Sequence, residues 1–159
     1  MTQTAPSRVA TLTISFATAI VLAFLIFASP MVQAQDHKAI NLSAAKGLPF
    51  SDGILAGNTL YVAGQEGSDD SGKLVAGGIG PETTAALQNI EKVLKAAGFE
   101  MKDVVNVTVF LADIREFPDM NKVYKSVMPD PKPARATVQV AALVNNARIE
   151  ISAVAVRTK

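Results

Sequence analysis

Two hydrophobic rhythms alternate along this chain from about residue 53 onward, one of period two and one of period 3.6. The stretch "GILAGNTLYVAGQEG" predicts two short strands, Gly53 to Ala56 and Thr59 to Ala63, turning at Gly57-Asn58. A polar, glycine-rich loop follows, "GSDDSGKLVAGG", with one brief strand expected at Lys73 to Val75. Next comes a helix with readable ends: Pro81 suits a first helical position and Gly98 the residue past the last turn. Between them Leu87, Ile90, Leu94 and Ala97 recur at helical spacing, and Glu91 and Lys95 form a favourable pair four residues apart. "DVVNVTVFLAD" alternates strictly, placing Val105, Val107, Val109 and Leu111 on one face of a strand. "EFPDMNKVYKSVM" reads as a second helix with Phe117, Met120, Tyr124 and Val127 along its apolar stripe. Pro129, Pro131 and Pro133 forbid its continuation. Two last strands are expected within "PARATVQVAALVNNARIEISAVAV", Pro133 to Val156, joined by a short loop.

Strands interspersed with helices predict an α/β fold, a single two-layer domain whose mixed β-sheet carries two helices. Both helices are amphipathic rather than apolar all round, which places them together on one face. The sheet's other face then needs covering, and association of subunits supplies that cover.

The amino-terminal segment follows neither rhythm. "MTQTAPSRVATLTISFATAIVLAFLIFASPMVQAQ" has one positive charge, Arg8, then a continuously apolar run from Phe16 to Ala28 and a small-residue end. This pattern predicts a signal peptide over residues 1–34, cleaved after Ala34, and a periplasmic or secreted domain over residues 35–159. The rival reading is an uncleaved membrane anchor, since Val9 to Phe27 is about long enough to span a bilayer. Of the 15 basic residues only Arg8 precedes Gln35, so 14 remain in the domain against 14 acidic ones. A neutral domain has no electrostatic footprint for nucleic acid, or for a membrane surface once the signal is removed. The chain has no cysteine, so disulfide and thiolate chemistry are excluded. Its one histidine, His37, is expected in a flexible end close to the cleavage point, and no histidine metal site can be built.

Two charges stand out in the final strand pair. Arg135 opens the first strand and Glu150 lies inside the second, although charges are depleted from strand interiors. In an antiparallel hairpin centred between Ala142 and Leu143, Arg135 faces Glu150, with Thr137 and Ser152 nearby. Such a pair is either an exposed cross-strand salt bridge or a small-molecule site. In the second case Arg135 grips a carboxylate through its two-pronged fork and Glu150 holds a water. Spacing alone leaves both open.

"PARATVQVAALVNNARIEI" resembles the signature of the RidA/YjgF family. So do "NTLYVAGQ", "TTAALQNIEKVLKAAG", "DVVNVTVFLAD" and "FPDMNKVY", in that order along the chain. The resemblance implies a homotrimer with ligand sites in clefts between subunits. It also implies hydrolysis of enamine or imine intermediates to 2-keto acids and ammonia, with no metal and no organic cofactor. It carries the family's carboxylate-binding arginine onto Arg135 and its water-orienting glutamate onto Glu150. Its asparagine near the second helix start falls on Asn121, and the glycine of its Ser-Gly-Gln on Gly64. Three positions depart from the family pattern: Phe50 stands for a tyrosine, Ala63 for a serine, and Thr137 for a cysteine or serine. The first two changes each remove a hydroxyl, which either leaves substrate polar atoms unpaired or shapes the site for a larger, more apolar imine. Two other functions compete with deamination. One is a non-catalytic, chaperone-like binder of small carboxylates. The other is an endoribonuclease, against which the neutral charge and the absence of a basic, aromatic cluster argue.

Overall fold

The computed structural model describes residues 36–42 and 47–157. The expected signal peptide and its cleavage point lie outside the described residues. Six strands, β1 (His37–Ile40), β2 (Gly53–Ala56), β3 (Thr59–Glu66), β4 (Val104–Leu111), β5 (Ala134–Gln139) and β6 (Ile149–Val156), form one mixed sheet. They lie side by side in the order β1-β2-β3-β6-β4-β5. Among the described residues the two α-helices are α1 (Ile79–Ala96) and α2 (Phe117–Val127).

Strand alternation sorts the sheet into two faces. Leu60, Val62, Val107, Val109, Leu111, Ile149, Ile151, Ala153 and Ala155 are buried in one core with Leu87, Ile90, Val93 and Leu94 of α1 and Met120 and Tyr124 of α2. Each such valine, leucine or isoleucine side chain contributes about 1.5–3 kcal/mol when fully buried, so the alternating pattern fixes which face meets the helices. On the opposite face Tyr61, Val138 and Phe110 are left exposed or half-buried, and no described helix covers them.

Most expected elements are present, with differences that have local causes. His37 is on a strand, not in a loose end: it opens β1, and its Cα pairs with Ala56 of β2. The stretch Lys73 to Val75 forms no strand of its own, only a bridge between Ser68 and Leu74. Helix α1 begins two residues before Pro81, and Gly98 takes φ +77 just past its end, as a helix stop requires. The predicted Glu91–Lys95 pair closes at 2.7 Å. In β4 an irregularity between Val104 and Asn106 makes Val105 an extra residue, so Val104 takes the core position and Val105 is exposed. At the end of α2, Met128 rather than Val127 is buried.

The expected hairpin between the last two strands is overturned. β5 pairs with β4 in parallel, Arg135 opposite Val107, and β4 lies between β5 and β6. The β4–α2–β5 segment is a strand–helix–strand crossover, the connection that parallel neighbours need. Nine residues, Val140 to Arg148, then carry the chain past β4 to β6.

Candidate functional site

Arg135 lies on the edge strand β5 and faces the helix layer, because its cross-strand partner Val107 is a core residue. Its Nη2 donates a 2.8 Å hydrogen bond to Asn121 Oδ1. The guanidinium carbon stands 4.3 Å from the centre of the Tyr124 ring and 5.6 Å from that of Phe117. These helix residues are spaced by four and three, so all lie on one face of α2. The same stripe that reads as hydrophobic in the sequence is therefore also a cradle for the arginine. Two aromatic faces attract the cation, and the asparagine fixes its roll.

Among the described residues no carboxylate forms an ion pair with Arg135. A half-buried guanidinium with one donor engaged keeps most of its fork for a ligand, and a carboxylate matches that fork best. The cross-strand salt bridge considered from the sequence is thus ruled out. Beside the arginine, the hydroxyls of Thr137 and Tyr124 are buried without a hydrogen-bond partner. Burial raises the Tyr124 phenol above its ordinary pKa, and the positive Arg135 partly offsets the rise.

Glu150 belongs to a second cluster, on the helix-free face. It sits between core residues Ile149 and Ile151, so its side chain points away from the helices. Across the sheet it forms a row with Phe110 on one side and Glu66 on the other. Between the pairs Val62–Ala153 and Gln65–Ile151, β3 contains one residue more than β6. The resulting bulge at Ala63-Gly64 resets the alternation and turns Glu66 toward the open face. Glu150 folds over Gly64: a methyl group there would stand 2.6 Å from its carboxyl carbon and 3.0 Å from Cγ. Glycine is needed for that close approach.

Sequence reasoning stopped the strand at Ala63 and missed Glu66. Burial pushes the Glu66 carboxyl above the usual range, a hydrogen bond from Asn145 pulls it back, and the facing Glu150 pushes it up again. Asn145 Nδ2 reaches Glu66 Oε2 at 3.2 Å from a backbone with φ +57, a left-handed conformation that asparagine tolerates. Phe117 and Tyr124 were legible only as core positions; nothing in their spacing shows that a cation rests on them.

The predicted site residues therefore fall into two groups. Arg135, Asn121 and Thr137 gather on the helix side of the edge strand. Glu150, Ala63 and Gly64 gather on the open face. Phe50 joins neither; it is 54% exposed in the bend before β2. Arg135 and Glu150 do not meet within one chain, because Arg135 shares its row and face with Ala153 while Glu150 points the other way.

A two-layer α/β domain with one sheet face that no described helix covers, an edge-strand arginine and a glycine-seated glutamate defines the class. Comparison with known proteins then gives the family. The profile described as Endoribonuclease L-PSP matches residues 41–157. The chain is 45% identical over 124 residues to the 2-iminobutanoate/2-iminopropanoate deaminase of Homo sapiens, covering 76% of this chain and 90% of that protein. Its fold is similar to the YjgF gene product of E. coli, with TM-score 0.71 and 30% identity, covering 76% of this chain and 99% of that one. It is also similar to E. coli TdcF with bound serine, with TM-score 0.70, 30% identity and the same coverage. The chain belongs to this family, the RidA/YjgF or L-PSP proteins.

Proposed function

We propose that this protein hydrolyses 2-imino acids, or the enamines in equilibrium with them, to 2-keto acids and ammonia. The observation that carries this reading is the stacked, half-buried Arg135 fork with no carboxylate partner among the described residues. The human relative's name supplies the reaction class, and serine bound to the TdcF relative is an α-carboxylate of the size the fork would accept. Arg135 takes the substrate carboxylate and fixes the C=N carbon in position. Glu150 holds the attacking water. The water oxygen becomes the keto oxygen, the C–N bond breaks, and both water hydrogens end on the departing ammonia. Gly64 keeps the glutamate seated, and Asn121 acts through Arg135. Thr137, Ala63 and Phe50 would line the remainder of the site.

The two halves of this site lie on opposite faces of one chain, so a working site needs Arg135 from one subunit and Glu150 from its neighbour. Trimeric assembly is typical of the family, and it would also cover the bare face carrying Tyr61 and Val138. We further propose that residues 1–34 are a signal peptide removed after Ala34, which puts the reaction outside the cytoplasm.

The test generates 2-iminobutanoate in situ and follows keto acid and ammonia above the uncatalysed rate. Wild-type protein should turn it over, and Arg135→Ala should lose about 10- to 100-fold in kcat/KM, the worth of a charge-assisted hydrogen-bonded pair. Equal rates for the two proteins remove Arg135 from the reaction. Binding of 2-oxobutanoate that needs Arg135 but comes with no turnover would favour the non-catalytic carboxylate binder instead.

A further inference from the structure

Two carboxylates facing each other across a strand pair repel, and a fold keeps them together at a cost unless something positive or a proton lies between them. Glu66 and Glu150 are such a pair, direct partners between β3 and β6 with both side chains on the open face. Neither forms a salt bridge among the described residues. Arg148, two residues from Glu150, is turned to the helix layer: its backbone N–H donates to Glu82 Oε2 at 2.9 Å and its Nη1 to Glu116 Oε1 at 2.6 Å. Among the described residues the Glu66 carboxylate accepts its side-chain hydrogen bond from Asn145, which is neutral. Glu150 lies folded over Gly64, which brings no side chain of its own to the pair.

We infer that Glu66 is a specificity-determining residue: with Glu150 it forms the nitrogen end of the site and holds the protonated nitrogen of an α-imino or α-amino acid, opposite the Arg135 that holds the carboxylate. This rests on the reading of the site given above and adds to it the charge state of the preferred ligand. An iminium or ammonium nitrogen between the two carboxylates supplies the missing positive charge. The keto acid product has no such nitrogen, so the pair discriminates substrate from product by charge rather than by shape. Binding the iminium form also selects the more electrophilic species for attack by the water on Glu150. The pair's preference weakens as Glu66 takes up a proton, and the upward push on its carboxyl brings that loss to a higher pH than an isolated glutamate would show.

The experiment is calorimetric titration of the protein, expressed from the full chain, with L-2-aminobutanoate and with 2-oxobutanoate at neutral pH. These ligands differ only at the nitrogen-bearing position. Wild type is compared with Glu66→Gln, Glu66→Leu and Arg135→Ala. Both Glu66 variants should lower the amino-to-keto affinity ratio by about fivefold, the worth of one partly exposed charge contact, while 2-oxobutanoate binding is retained. That retained binding shows that the variants are folded. A ratio unchanged within twofold, or no measurable binding of the amino acid to wild type, overturns the inference and leaves the Arg135 reading standing. If Arg135→Ala binds both ligands as wild type does, the reading of the site fails and this inference falls with it.

Discussion

Replacing Gly64 by alanine tests the seat of Glu150 more sharply than removing the glutamate itself. The added methyl would stand 2.6 Å from the Glu150 carboxyl carbon, and ordinary contact begins at 3.4 Å. The carboxyl group must therefore move by roughly 1 Å, and a misplacement of that size in a catalytic group is worth on the order of 10²-fold in rate. That corresponds to about 2.7 kcal/mol in the activation barrier. Stability should suffer less than the ~1–3 kcal/mol of a core overpacking, because the clash is with the far end of a half-buried, flexible side chain. The assay is kcat/KM for 2-iminobutanoate generated in situ, run beside a thermal melt. The loss should fall on kcat, since Arg135 still binds the carboxylate. If Gly64→Ala retains kcat/KM within a factor of two, or loses activity only in proportion to unfolding, then Glu150 is not held in place by this contact and the account of the water site is wrong.

Other consequences can be measured on the same protein. Tyr124→Phe keeps the ring beneath Arg135, whereas Tyr124→Leu removes a cation–π contact worth roughly 0.5–2 kcal/mol. Only the leucine variant should raise KM, by about 2- to 30-fold, with kcat little changed; equal behaviour of the two would show that the ring does not position the arginine. Glu66 has a folded-state pKa raised above its unfolded value, so its contribution favours the folded state at acid pH and is lost as pH rises through the folded value. Glu66→Gln should accordingly stabilise the protein slightly at pH 7 and not at pH 4, and denaturant melts showing a destabilisation at pH 7 would contradict this. Gly67 lies against the first turn of α1, where a methyl group would stand 2.5 Å from Glu82 Cα. Both sides there are backbone, so Gly67→Ala should cost about 1–3 kcal/mol, and an unchanged melting temperature would refute the close packing.

The elements were legible because their signals are local. Val107, Val109 and Leu111 announce a strand by themselves, and so do Leu87, Ile90 and Leu94 a helix. The partner of β5 was not legible in the same way. β5 and β6 both alternate and lie close in sequence, which suits a hairpin, while the strand–helix–strand spacing of β4, α2 and β5 suits a parallel crossover. Nothing local arbitrates between them; insertion of β4 between the two strands does. That choice separates Arg135 from Glu150, so the hairpin expected from the sequence misjudged how the two residues are related. The bulge at Ala63-Gly64 was equally hidden, since a single extra residue changes no composition and yet decides that Glu66 faces Glu150. The family resemblance named candidate residues but not their neighbours: the stacking of Arg135 on α2 follows only from the folded chain.

Mixing subunits of two inactive variants asks directly whether one site is shared between chains. Arg135→Ala and Glu150→Gln should each keep at most about a tenth of wild-type activity alone. In randomly mixed trimers only a site that takes its arginine from one variant and its glutamate from the other is intact. Dissociating and reassembling an equal mixture should therefore restore about a quarter of wild-type activity. If the reassembled, demonstrably mixed trimers regain nothing, the two residues do not act together across a subunit boundary, and the proposed site is wrong.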